Sequence, residues 1–576
     1  MNIQHLLIAR FQAALASLDA ADAPVPVSKS TRPGCGEYQF NGAMGLGKKL
    51  KKPPRDIAQM IVDAVELDDV AAQLEIAGPG FINIHLSPSW LAEQCQISLA
   101  DARLNIPAQT AQNIVVDYSA PNLAKEMHVG HLRSTIIGDG VVKALEFMGH
   151  NVIRQNHMGD WGTQFGMLLA HLNDKLAANE VAETALSDLE DFYRQAKVRF
   201  DEEDGFADRA REYVVRLQGG DTECLALWQN FIDVSIQHSV DVYEKLNVSL
   251  QTADVMGESA YNPDLANVIA DLKAQGVAVE DQGAQVVFLE ELADKNGKPA
   301  VYIVQKSGGG YLYATTDLAA IRYRSQKLKA QRTLIFTDAR QALHFKQTEI
   351  VARKAGFIGA DEQYQHCPFG MMLGKDGKPF KTRTGGTVKL VDLLDEAVQR
   401  AQTLLNQRDN DFSAEELATM AQKIGIGAVK YADLSKARTT DYIFDWDSML
   451  SFEGNTAPYL QYAYTRIQSI FVKAGASADT SADITIVADQ EKALATKLLQ
   501  YQEAIETVVT EATPHVLCTY LYELASLYMK FYEACPILKD DVSEADKQSR
   551  LQLCRLTGNT LGHGLGLLGI DTLERM

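Results

Sequence analysis

The strongest constraint on the fold is an alternation of short apolar strands with an amphipathic helix. The run Ile114–Tyr118 predicts a buried strand, and Asn151–Gln155 predicts another after a helix that Gly149 ends. One face of that helix consists of Leu132, Ile136, Ile137, Val141, Leu145 and Met148. A unit of this length is a parallel crossover, and the later run Thr333–Thr337 is expected to join the same sheet.

Patterns elsewhere divide the 576 residues into three parts. Residues 1–108 predict a small α+β domain, because a helical pattern opens it and Gly80–Leu86 alternates like a strand. Residues 109–390 predict an α/β nucleotide-binding domain with a helix-rich, charge-rich insertion at about 170–300. Residues 391–576 predict an almost entirely helical region. The expected fold class is therefore multidomain α/β.

The net charge of −20 disfavours a nucleic-acid partner, because phosphates are bound by Lys and Arg. The stretch Ser28–Arg55 departs from this average, since seven basic residues and one acid give it a charge of +6. Its basic residues are Lys29, Arg32, Lys48, Lys49, Lys51, Lys52 and Arg55. A basic patch on an acidic body suits an RNA that docks in one orientation. A solvated surface loop is the alternative.

The seven cysteines are odd in number and none stands at CxxC spacing, which predicts reduced, mostly buried thiols and no structural zinc. No apolar run approaches the roughly 20 residues that span a bilayer, so no membrane association is expected. The N-terminal stretch lacks the basic start and cleavage site of a signal peptide. These features predict a cytoplasmic protein.

The segment Ser119–Leu132 gives the clearest chemical signal. It follows a strand and enters a helix, where an open α/β sheet binds ligands and where free N–H groups meet an anion. His128 and His131 are three residues apart, and Gly130 between them lets a ligand approach the backbone. The two imidazoles and Lys125 are expected to bind phosphates and stabilise a transferring phosphoryl group. The alternatives are two surface or core histidines, or a zinc-binding pair.

This segment resembles the HIGH motif of class I aminoacyl-tRNA synthetases, in the form found in bacterial arginyl-tRNA synthetases. Further stretches resemble that family in order and spacing along nearly the whole chain: Gly159–Gly166, Gly257–Ser259, Tyr313–Asp317, Gln341–Phe345, Gly454–Arg466 and Glu574–Met576. The resemblance implies a Rossmann-type catalytic domain over 109–390. It also implies an N-terminal domain that contacts tRNA over 1–108, and a helical stem with an anticodon-binding domain over 391–576.

The resemblance implies an activity, the ATP-dependent attachment of arginine to the 3′-terminal ribose of tRNA(Arg). L-Arginine would react with ATP to give arginyl-adenylate and pyrophosphate, and the arginyl group would then pass to the tRNA. Mg²⁺ is expected to accompany ATP. The family usually needs tRNA for the first step and is usually monomeric, and both properties are expected here.

The resemblance also places six side chains around the bound arginine. Those at the guanidinium are Glu258, Tyr313 and Asp317, and those at the α-amino and carboxylate groups are Asp117, Asn122 and Gln341. Carboxylates and planar acceptors suit the fork of donors on a guanidinium. A surface salt bridge is the alternative for each acid. Such a pocket rejects lysine, which would leave buried acceptors unpaired.

The second loop of class I synthetases, KMSKS, is degenerate in this chain, where Lys375–Gly386 corresponds to it. Its basic residues Lys378, Lys381 and Arg383 are expected at the triphosphate, together with the HIGH segment. In many arginyl-tRNA synthetases a lysine just before the HIGH motif compensates for this degeneracy. Lys125 occupies that position.

The expected tRNA contacts lie in the two terminal regions. Those of the N-terminal domain are Lys48, Lys49, Lys51 and Lys52. In the C-terminal region, Tyr459 and Arg466 are seven residues apart on a predicted helix, where a ring and a guanidinium can stack unpaired bases. Packing against neighbouring helices is the alternative, and it is the role expected of Tyr462 and Ala463.

Two other classes of protein fit part of the pattern. A small-molecule adenylyltransferase or ligase with the same HxGH geometry would bind no RNA. The long helical C-terminal region and the basic stretch argue against it. A non-catalytic RNA-binding paralogue would have lost the histidines or the acidic pocket, and all of these are present.

Overall fold

The computed structural model describes residues 1–30, 32, 34–179, 181, 186–381, 388–408, 411–475 and 482–576. The N-terminal elements are α1 (Ile3–Ser17), β1 (Val27–Lys29), β2 (Tyr38–Phe40), α2 (Gly47–Leu50), α3 (Pro54–Ala64), β3 (Ala71–Ala77), β4 (Phe81–Leu86) and α4 (Pro88–Ala100). The strands form an antiparallel sheet in the order β1-β2-β4-β3. Phe11 of α1 stacks on Phe40 of β2 with ring centroids 4.5 Å apart, so the helix covers the sheet. The predicted helix and the strand predicted at Gly80–Leu86 are confirmed.

The central region is an α/β fold around a parallel sheet. Its elements are β5 (Asn113–Asp117), α5 (Val129–Phe147), β6 (Asn151–Gln155), α6 (Gln164–Ala177), α7 (Leu189–Glu202), α8 (Phe206–Gln218), α9 (Thr222–Lys245), α10 (Asn262–Ala274), β7 (Val279–Asp281), β8 (Ala284–Leu289), β9 (Ala300–Gln305), α11 (Tyr313–Gln326), β10 (Arg332–Ile335), α12 (Ala342–Lys354), β11 (Gln363–His366) and β12 (Met372–Leu373). The sheet has the order β11-β10-β5-β6 and every pair is parallel. The predicted crossover and the later strand are therefore confirmed.

The order of this sheet fixes where a ligand binds. Strands β5 and β10 are neighbours, yet the chain leaves β5 toward one edge, through α5 to β6, and leaves β10 toward the other, through α12 to β11. The crevice at their carboxyl ends is a topological switch point, where open α/β sheets bind their ligands. Directly after β5, Ser119 and Ala120 have φ of 70° and 46°. This turn directs the chain away from the sheet edge before α5 begins.

The insertion is rich in helix, as predicted, with α6 to α9 packed together. It also contains an antiparallel sheet of β7, β8 and β9, which the sequence did not reveal. Val301 and Ile303 of β9 are 43% and 45% exposed, so apolar residues here do not mark a buried face. The alternation that predicts a strand is therefore missing from this sheet.

The C-terminal region is almost entirely helical, as predicted. Its elements are α13 (Leu390–Asn406), α14 (Ala414–Leu434), β13 (Tyr442–Ile443), α15 (Trp446–Met449), α16 (Ala457–Ala474), α17 (Asp489–Leu499), α18 (Tyr501–Glu511), α19 (His515–Ala534) and α20 (Glu544–Leu567). Strand β13 pairs in parallel with β12 and ties this region to the α/β fold. The segment 482–488 is a loop. None of the described helices is long and apolar enough to cross a membrane. The cysteines are free, and all except the half-buried Cys35 are buried.

Candidate active site

A cavity of about 480 Å³ lies at the carboxyl ends of β5 and β10. All six side chains expected around arginine line it: Asp117, Asn122, Glu258, Tyr313, Asp317 and Gln341. Tyr313 and Asp317 are four residues apart at the start of α11 and reach the cavity from one helix. Residues separated by more than 200 positions in the chain are therefore brought together by the sheet and the helices that flank it.

One acid that lines the cavity is Asp117, the last residue of β5. Its Oδ2 atom accepts a hydrogen bond from a terminal nitrogen of Arg324 at 2.6 Å, and its Oδ1 atom has no hydrogen-bond partner among the described residues. The Nε atom of Arg324 donates to Oε1 of Gln155 at 2.7 Å. Asp117 is thus a buried carboxylate with one paired and one unpaired oxygen, and an unpaired buried oxygen favours an incoming donor.

A second acidic group lies between α11 and the loop before α10. The Oδ2 atom of Asp317 is 2.6 Å from Nε2 of His344, and its Oδ1 atom is 3.8 Å from Nε2 of His157. Burial, together with repulsion from Asp317 and Asp160, raises the pKa of Glu258 to about 7. Two neighbouring carboxylates in a partly buried site favour a cation, because its charge would relieve both repulsion and desolvation.

The position of Glu258 depends on a turn around Asp160. Ser259 donates to the Asp160 carboxylate from its backbone N–H at 2.8 Å and from its hydroxyl at 2.5 Å. A Cβ atom at Gly257 would collide with that carboxylate, so the turn requires glycine. Burial raises the pKa of Asp160 despite these hydrogen bonds. The stretch Gly257–Ser259 therefore has a structural explanation. Gly257 leaves space for the Asp160 carboxylate and Ser259 binds it, and this fixes the turn from which Glu258 reaches the cavity.

The HIGH segment forms the N-terminus of α5. His128 is the N-cap residue, and its Nδ1 atom accepts from the N–H of Gly130 at 3.0 Å. The Nδ1 atom of His131 accepts from the N–H of His128 at 3.1 Å, which completes a capping box. A Cβ atom at Gly130 would lie 2.7 Å from the His128 ring. Glycine is needed here to let that ring fold back over the helix end, rather than only to admit a ligand.

The same contacts fix the protonation of the two rings, whose centroids are 4.0 Å apart. Burial lowers the pKa of His128, and burial with the neighbouring His128 lowers the pKa of His131 to about 3. Both rings are therefore neutral near pH 7. Since each Nδ1 atom accepts a backbone N–H, each ring holds its proton on Nε2. The pair offers two N–H donors, and no full charge, to an anion.

The cavity lining does not include the HIGH residues His128, Gly130 and His131, and it does not include Lys125 or the described lysines of the second loop. Lys125 is exposed, and its ammonium lies 4.3 Å from the ring centroid of Tyr193 in α7. Lys378 and Lys381 are also exposed and do not line the cavity. Arg383 lies outside the described residues. The chain that follows it is tied to the HIGH segment, because Val129 donates to the carbonyl of Val388 at 3.1 Å.

The four lysines expected to contact tRNA in the N-terminal region lie on or just after α2 and are exposed: Lys48, Lys49, Lys51 and Lys52. Lys49 forms an ion pair with Asp22. Lys29, from the same basic stretch, is held 2.8 Å from the buried Glu503 of α18. The basic patch is therefore smaller than its sequence indicates, and part of it joins the N-terminal and C-terminal regions.

Tyr459 and Arg466 lie on α16, as predicted. The Arg466 guanidinium is 4.7 Å from the ring centroid of Tyr532 and donates to the hydroxyl of Tyr462 at 3.3 Å. Ala463 is buried, which confirms its packing role, but Tyr462 is 36% exposed and the packing role predicted for it is wrong. Tyr462 instead forms an exposed pair with Arg466.

Several cavity residues were not predicted, namely His157, Arg324, His344 and Tyr364. Helical spacing contained a signal for Arg324, which lies seven residues after Asp317 and therefore on the same side of α11. His344 lies within the stretch Gln341–Phe345, which resembles the family. No local pattern identifies His157 or Tyr364, which reach the cavity from a loop and from an edge strand.

Comparisons with known proteins agree with this geometry. The family model described as tRNA synthetases class I (R), catalytic domain, matches residues 94–446. The DALR anticodon binding domain matches residues 460–576, and the arginyl tRNA synthetase N terminal domain matches residues 5–86. The chain is 72% identical to the arginine–tRNA ligase of Pseudoalteromonas atlantica, with 100% of each chain covered.

Solved structures resemble the whole chain as well. The arginyl-tRNA synthetase of Plasmodium falciparum has a TM-score of 0.84 at 27% identity, covering 100% of this chain and 99% of that chain. The arginyl-tRNA synthetase of Thermus thermophilus has the same TM-score at 24% identity with full coverage of both chains, which shows the shared fold.

A histidine pair that caps a helix at the switch point of a parallel sheet, within a region matched by the class I catalytic model, defines a class I aminoacyl-tRNA synthetase. The match to the N-terminal domain model and the full-length relative identify which family of class I synthetases this is. The chain belongs to the arginyl-tRNA synthetase family.

Proposed function

We propose that this chain joins L-arginine to tRNA(Arg) in two steps at the cavity beside His128 and His131. In the first step a carboxylate oxygen of arginine attacks the α-phosphorus of ATP, and the bond to the β-phosphate oxygen breaks. The products are arginyl-adenylate and pyrophosphate. In the second step the terminal ribose hydroxyl of the tRNA attacks the adenylate carbonyl carbon, AMP leaves, and the hydroxyl proton is released.

The observation that most supports arginine as the substrate is the arrangement of acids in the cavity. Glu258 and Asp317 form a partly buried pair that favours a cation, and a guanidinium supplies a delocalised charge with a planar fork of donors. Tyr313 contributes a ring at the cavity mouth. A lysine ammonium would meet the same acids as a single point charge and leave acceptors unpaired.

The backbone end of the amino acid is assigned to the other three expected residues of the lining, Asp117, Asn122 and Gln341. The unpaired Oδ1 atom of Asp117 suits the α-ammonium group. Asn122 and Gln341 are exposed at the cavity wall and offer amide groups to the ammonium and carboxylate. This orientation directs the carboxylate toward the HIGH segment, where the α-phosphate is attacked.

ATP enters as its magnesium complex. The Nε2–H groups of His128 and His131 donate to the phosphates and stabilise charge that develops as pyrophosphate leaves. Gly130 keeps the helix end open to the nucleotide. Lys125 provides a full positive charge next to two neutral rings.

The second loop contributes basic side chains to the same reaction. Lys378, Lys381 and Arg383 are proposed to bind the triphosphate. The tie between Val129 and Val388 supports this, because it holds the chain after the loop against the HIGH segment. A rigid anchor limits how far the basic residues move from the phosphates.

The tRNA is proposed to contact both terminal regions. Lys48, Lys49, Lys51 and Lys52 approach its backbone, and Tyr459 and Arg466 approach the anticodon. The exposed Tyr462 ring, whose hydroxyl accepts a hydrogen bond from the half-buried Arg466 guanidinium, supports the second contact. The protein is proposed to act as a monomer in the cytoplasm.

The test is ATP–pyrophosphate exchange with each standard amino acid, with and without tRNA. Exchange with arginine alone, and only when tRNA is present, is expected. Exchange with lysine at a comparable rate would contradict the assignment of the acidic pair. The variants Glu258→Gln and Asp317→Asn are expected to slow exchange with arginine strongly by raising the KM for arginine. The matched variant Glu280→Gln, in an exposed strand of the insertion, is expected to retain it.

A further inference from the structure

Arg324 is a buried arginine in the wall of a cavity proposed to receive arginine. Only 3% of the residue is exposed, and its guanidinium spans two acceptors, Oδ2 of Asp117 at 2.6 Å and Oε1 of Gln155 at 2.7 Å. A buried guanidinium costs desolvation energy unless it is paired, and hydrogen bonds from two of its nitrogens, one of them to a carboxylate, offset this cost. The residue contributes no group to the reacting atoms, so its presence in this wall needs a different explanation.

The proposed substrate poses a problem of orientation. Arginine has a cation at each end, a guanidinium on the side chain and an ammonium at Cα. The cavity is lined by three acids, Asp117, Glu258 and Asp317. Charge alone therefore does not decide which end of the substrate meets which acid, and an inverted arginine would present no carboxylate to ATP.

The ion pair with Arg324 distinguishes Asp117 from the other two acids of the cavity, Glu258 and Asp317. The guanidinium neutralises Asp117 and occupies one of its oxygens, which leaves a single acceptor. A guanidinium binds a carboxylate best through two parallel N–H donors to two oxygens, whereas an ammonium needs only one acceptor for each N–H. Glu258 and Asp317 have no arginine or lysine partner among the described ion pairs. His344 is within hydrogen-bond distance of one oxygen of Asp317, whereas no hydrogen bond among the described residues involves the Glu258 carboxylate. Glu258 therefore keeps two oxygens for the guanidinium fork, and neither acid is neutralised by an arginine or a lysine, so this pair attracts the guanidinium more strongly than Asp117 does.

We propose that Arg324 is a positioning and specificity-determining residue that sets the orientation of the substrate. Because Arg324 occupies one oxygen of Asp117, this acid binds an ammonium group better than a guanidinium. The guanidinium of the substrate therefore binds at Glu258 and Asp317. This inference rests on the proposed arginine specificity and adds the residue that determines the orientation of arginine in the cavity.

The test compares two inhibitors that share a four-carbon chain. Agmatine has one guanidinium and one ammonium, and 1,4-diguanidinobutane has a guanidinium at each end. Their binding is measured by calorimetry on the full-length protein, and the KM for arginine is measured by pyrophosphate exchange with tRNA. The intact protein is expected to prefer agmatine, because the single acceptor on Asp117 does not fit a guanidinium fork.

The variants separate charge, orientation and general stability. Arg324→Met frees both oxygens of Asp117, so we expect the preference for agmatine to fall by about tenfold and the KM for arginine to rise by at least as much. Arg324→Lys keeps the charge and occupies one oxygen, so we expect the preference to stay near that of the intact protein. Arg322→Met is the matched control. Arg322 lies on the same helix and binds Asp264 and Asp271 outside the cavity.

An unchanged preference in Arg324→Met, or an equal change in Arg322→Met, overturns the inference. If Arg324→Met does not fold, Arg324→Lys decides the matter. In that variant a preserved preference supports the inference, and a shift toward 1,4-diguanidinobutane contradicts it. Failure of the intact protein to exchange pyrophosphate with arginine would instead overturn the proposed function. The binding preference is measured without turnover, so the two failures are distinguishable.

Discussion

The Nε2 atom of His344 lies 2.6 Å from the Oδ2 atom of Asp317, and this contact joins α12 to α11 across the wall of the cavity. The His344 ring also meets the Tyr313 ring edge-on, with centroids 5.0 Å apart. One histidine therefore holds both α11 side chains that are proposed to meet the guanidinium. Asp317 is fixed before substrate arrives, which reduces the ordering required on binding.

Replacement of His344 by Ala tests this arrangement. The variant leaves the Asp317 charge in place but removes its hydrogen bond, so the KM for arginine is expected to rise by roughly tenfold. The KM for ATP is expected to stay unchanged. His150→Ala is the control, because His150 contacts Gln109 away from the cavity. Equal KM values for arginine in the two variants would show that His344 does not position Asp317.

Arginine binding is expected to weaken in acid because of Glu258. Its pKa is raised to about 7, and the guanidinium binds the ionised carboxylate. The KM for arginine should therefore rise as pH falls below 7, by up to about tenfold for each pH unit once the group is protonated. Initial rates of exchange between pH 6 and pH 8 measure this. Glu258→Gln is expected to have a high KM at every pH, and a parallel rise in that variant would assign the titration to another group.

The two histidines of the HIGH segment have separable structural and chemical roles. His131→Ala and His128→Ala are expected to slow pyrophosphate exchange by roughly 10²–10³, because each removes a donor from the leaving phosphates. His128→Asn keeps an N-cap acceptor but lacks the ring, so it should lose the same activity. Of the two His128 variants, only His128→Ala should also lose about 1 kcal/mol of stability. Thermal unfolding and exchange rates measured on both variants test this difference.

Local periodicity accounts for the parts of the fold that the sequence predicted. The helix between Ile114–Tyr118 and Asn151–Gln155 repeats its apolar residues every three to four positions, and α5 and β6 appear where that pattern places them. The residues of β9 from Ala300 to Val304 are all apolar, so this strand has no alternation of polar and apolar residues and its sheet was not predicted. Tyr462 and Ala463 were both expected to pack against neighbouring helices, yet only Ala463 is buried, and Tyr462 lies on the exposed side of α16.

The residues and contacts of the site were harder to predict from the sequence than the fold. Its six expected residues were assigned through resemblance to a family, since nothing local distinguishes Glu258 or Asp317 from a surface acid. The pairing of Asp117 with Arg324 joins residues 207 positions apart, and no pattern in one sequence reports such a pair. The neutral state of His131 likewise depends on burial, which exists only after folding.

Binding of tRNA is expected to depend on the exposed lysines beside α2. The triple variant Lys48→Ala, Lys51→Ala, Lys52→Ala removes three charges, so tRNA affinity should fall and the salt dependence of binding should become less steep. Arginine KM at saturating tRNA should not change. The matched control is the triple variant of the exposed insertion lysines Lys295, Lys298 and Lys306. An equal loss in both variants would indicate a general effect of charge rather than a docking surface.

Lys430 of α14 is a fully buried lysine at the junction of three helices. Its ammonium donates to the carbonyls of Leu246 at 2.7 Å, Gly569 at 2.8 Å and Asn247 at 3.3 Å. Two of these carbonyls follow α9 and the third follows α20. Helix C-termini have unpaired carbonyls and a partial negative charge, so one ammonium caps two helices from distant parts of the chain.

Lys430→Met is expected to leave these carbonyls unpaired and to cost about 2–4 kcal/mol of stability. Lys423→Met is the matched control on the same helix. Lys423 is only partly buried and donates to a single carbonyl, that of Thr572, at 3.2 Å, so a smaller loss is expected. The midpoint of chemical unfolding measures both.

The dependence of this loss on pH distinguishes a buried amine from a simple packing defect. Burial, with repulsion from Lys143, lowers the pKa of Lys430 to about 7. The unfolded chain therefore binds more protons at this residue than the folded chain between about pH 7 and pH 10, and the contribution of Lys430 to stability rises with pH across that window. The gap in unfolding midpoint between the intact protein and Lys430→Met is expected to widen from pH 7 to pH 9. A constant gap would mean that Lys430 does not change its protonation on folding, and that its effect arises from packing and hydrogen bonds alone.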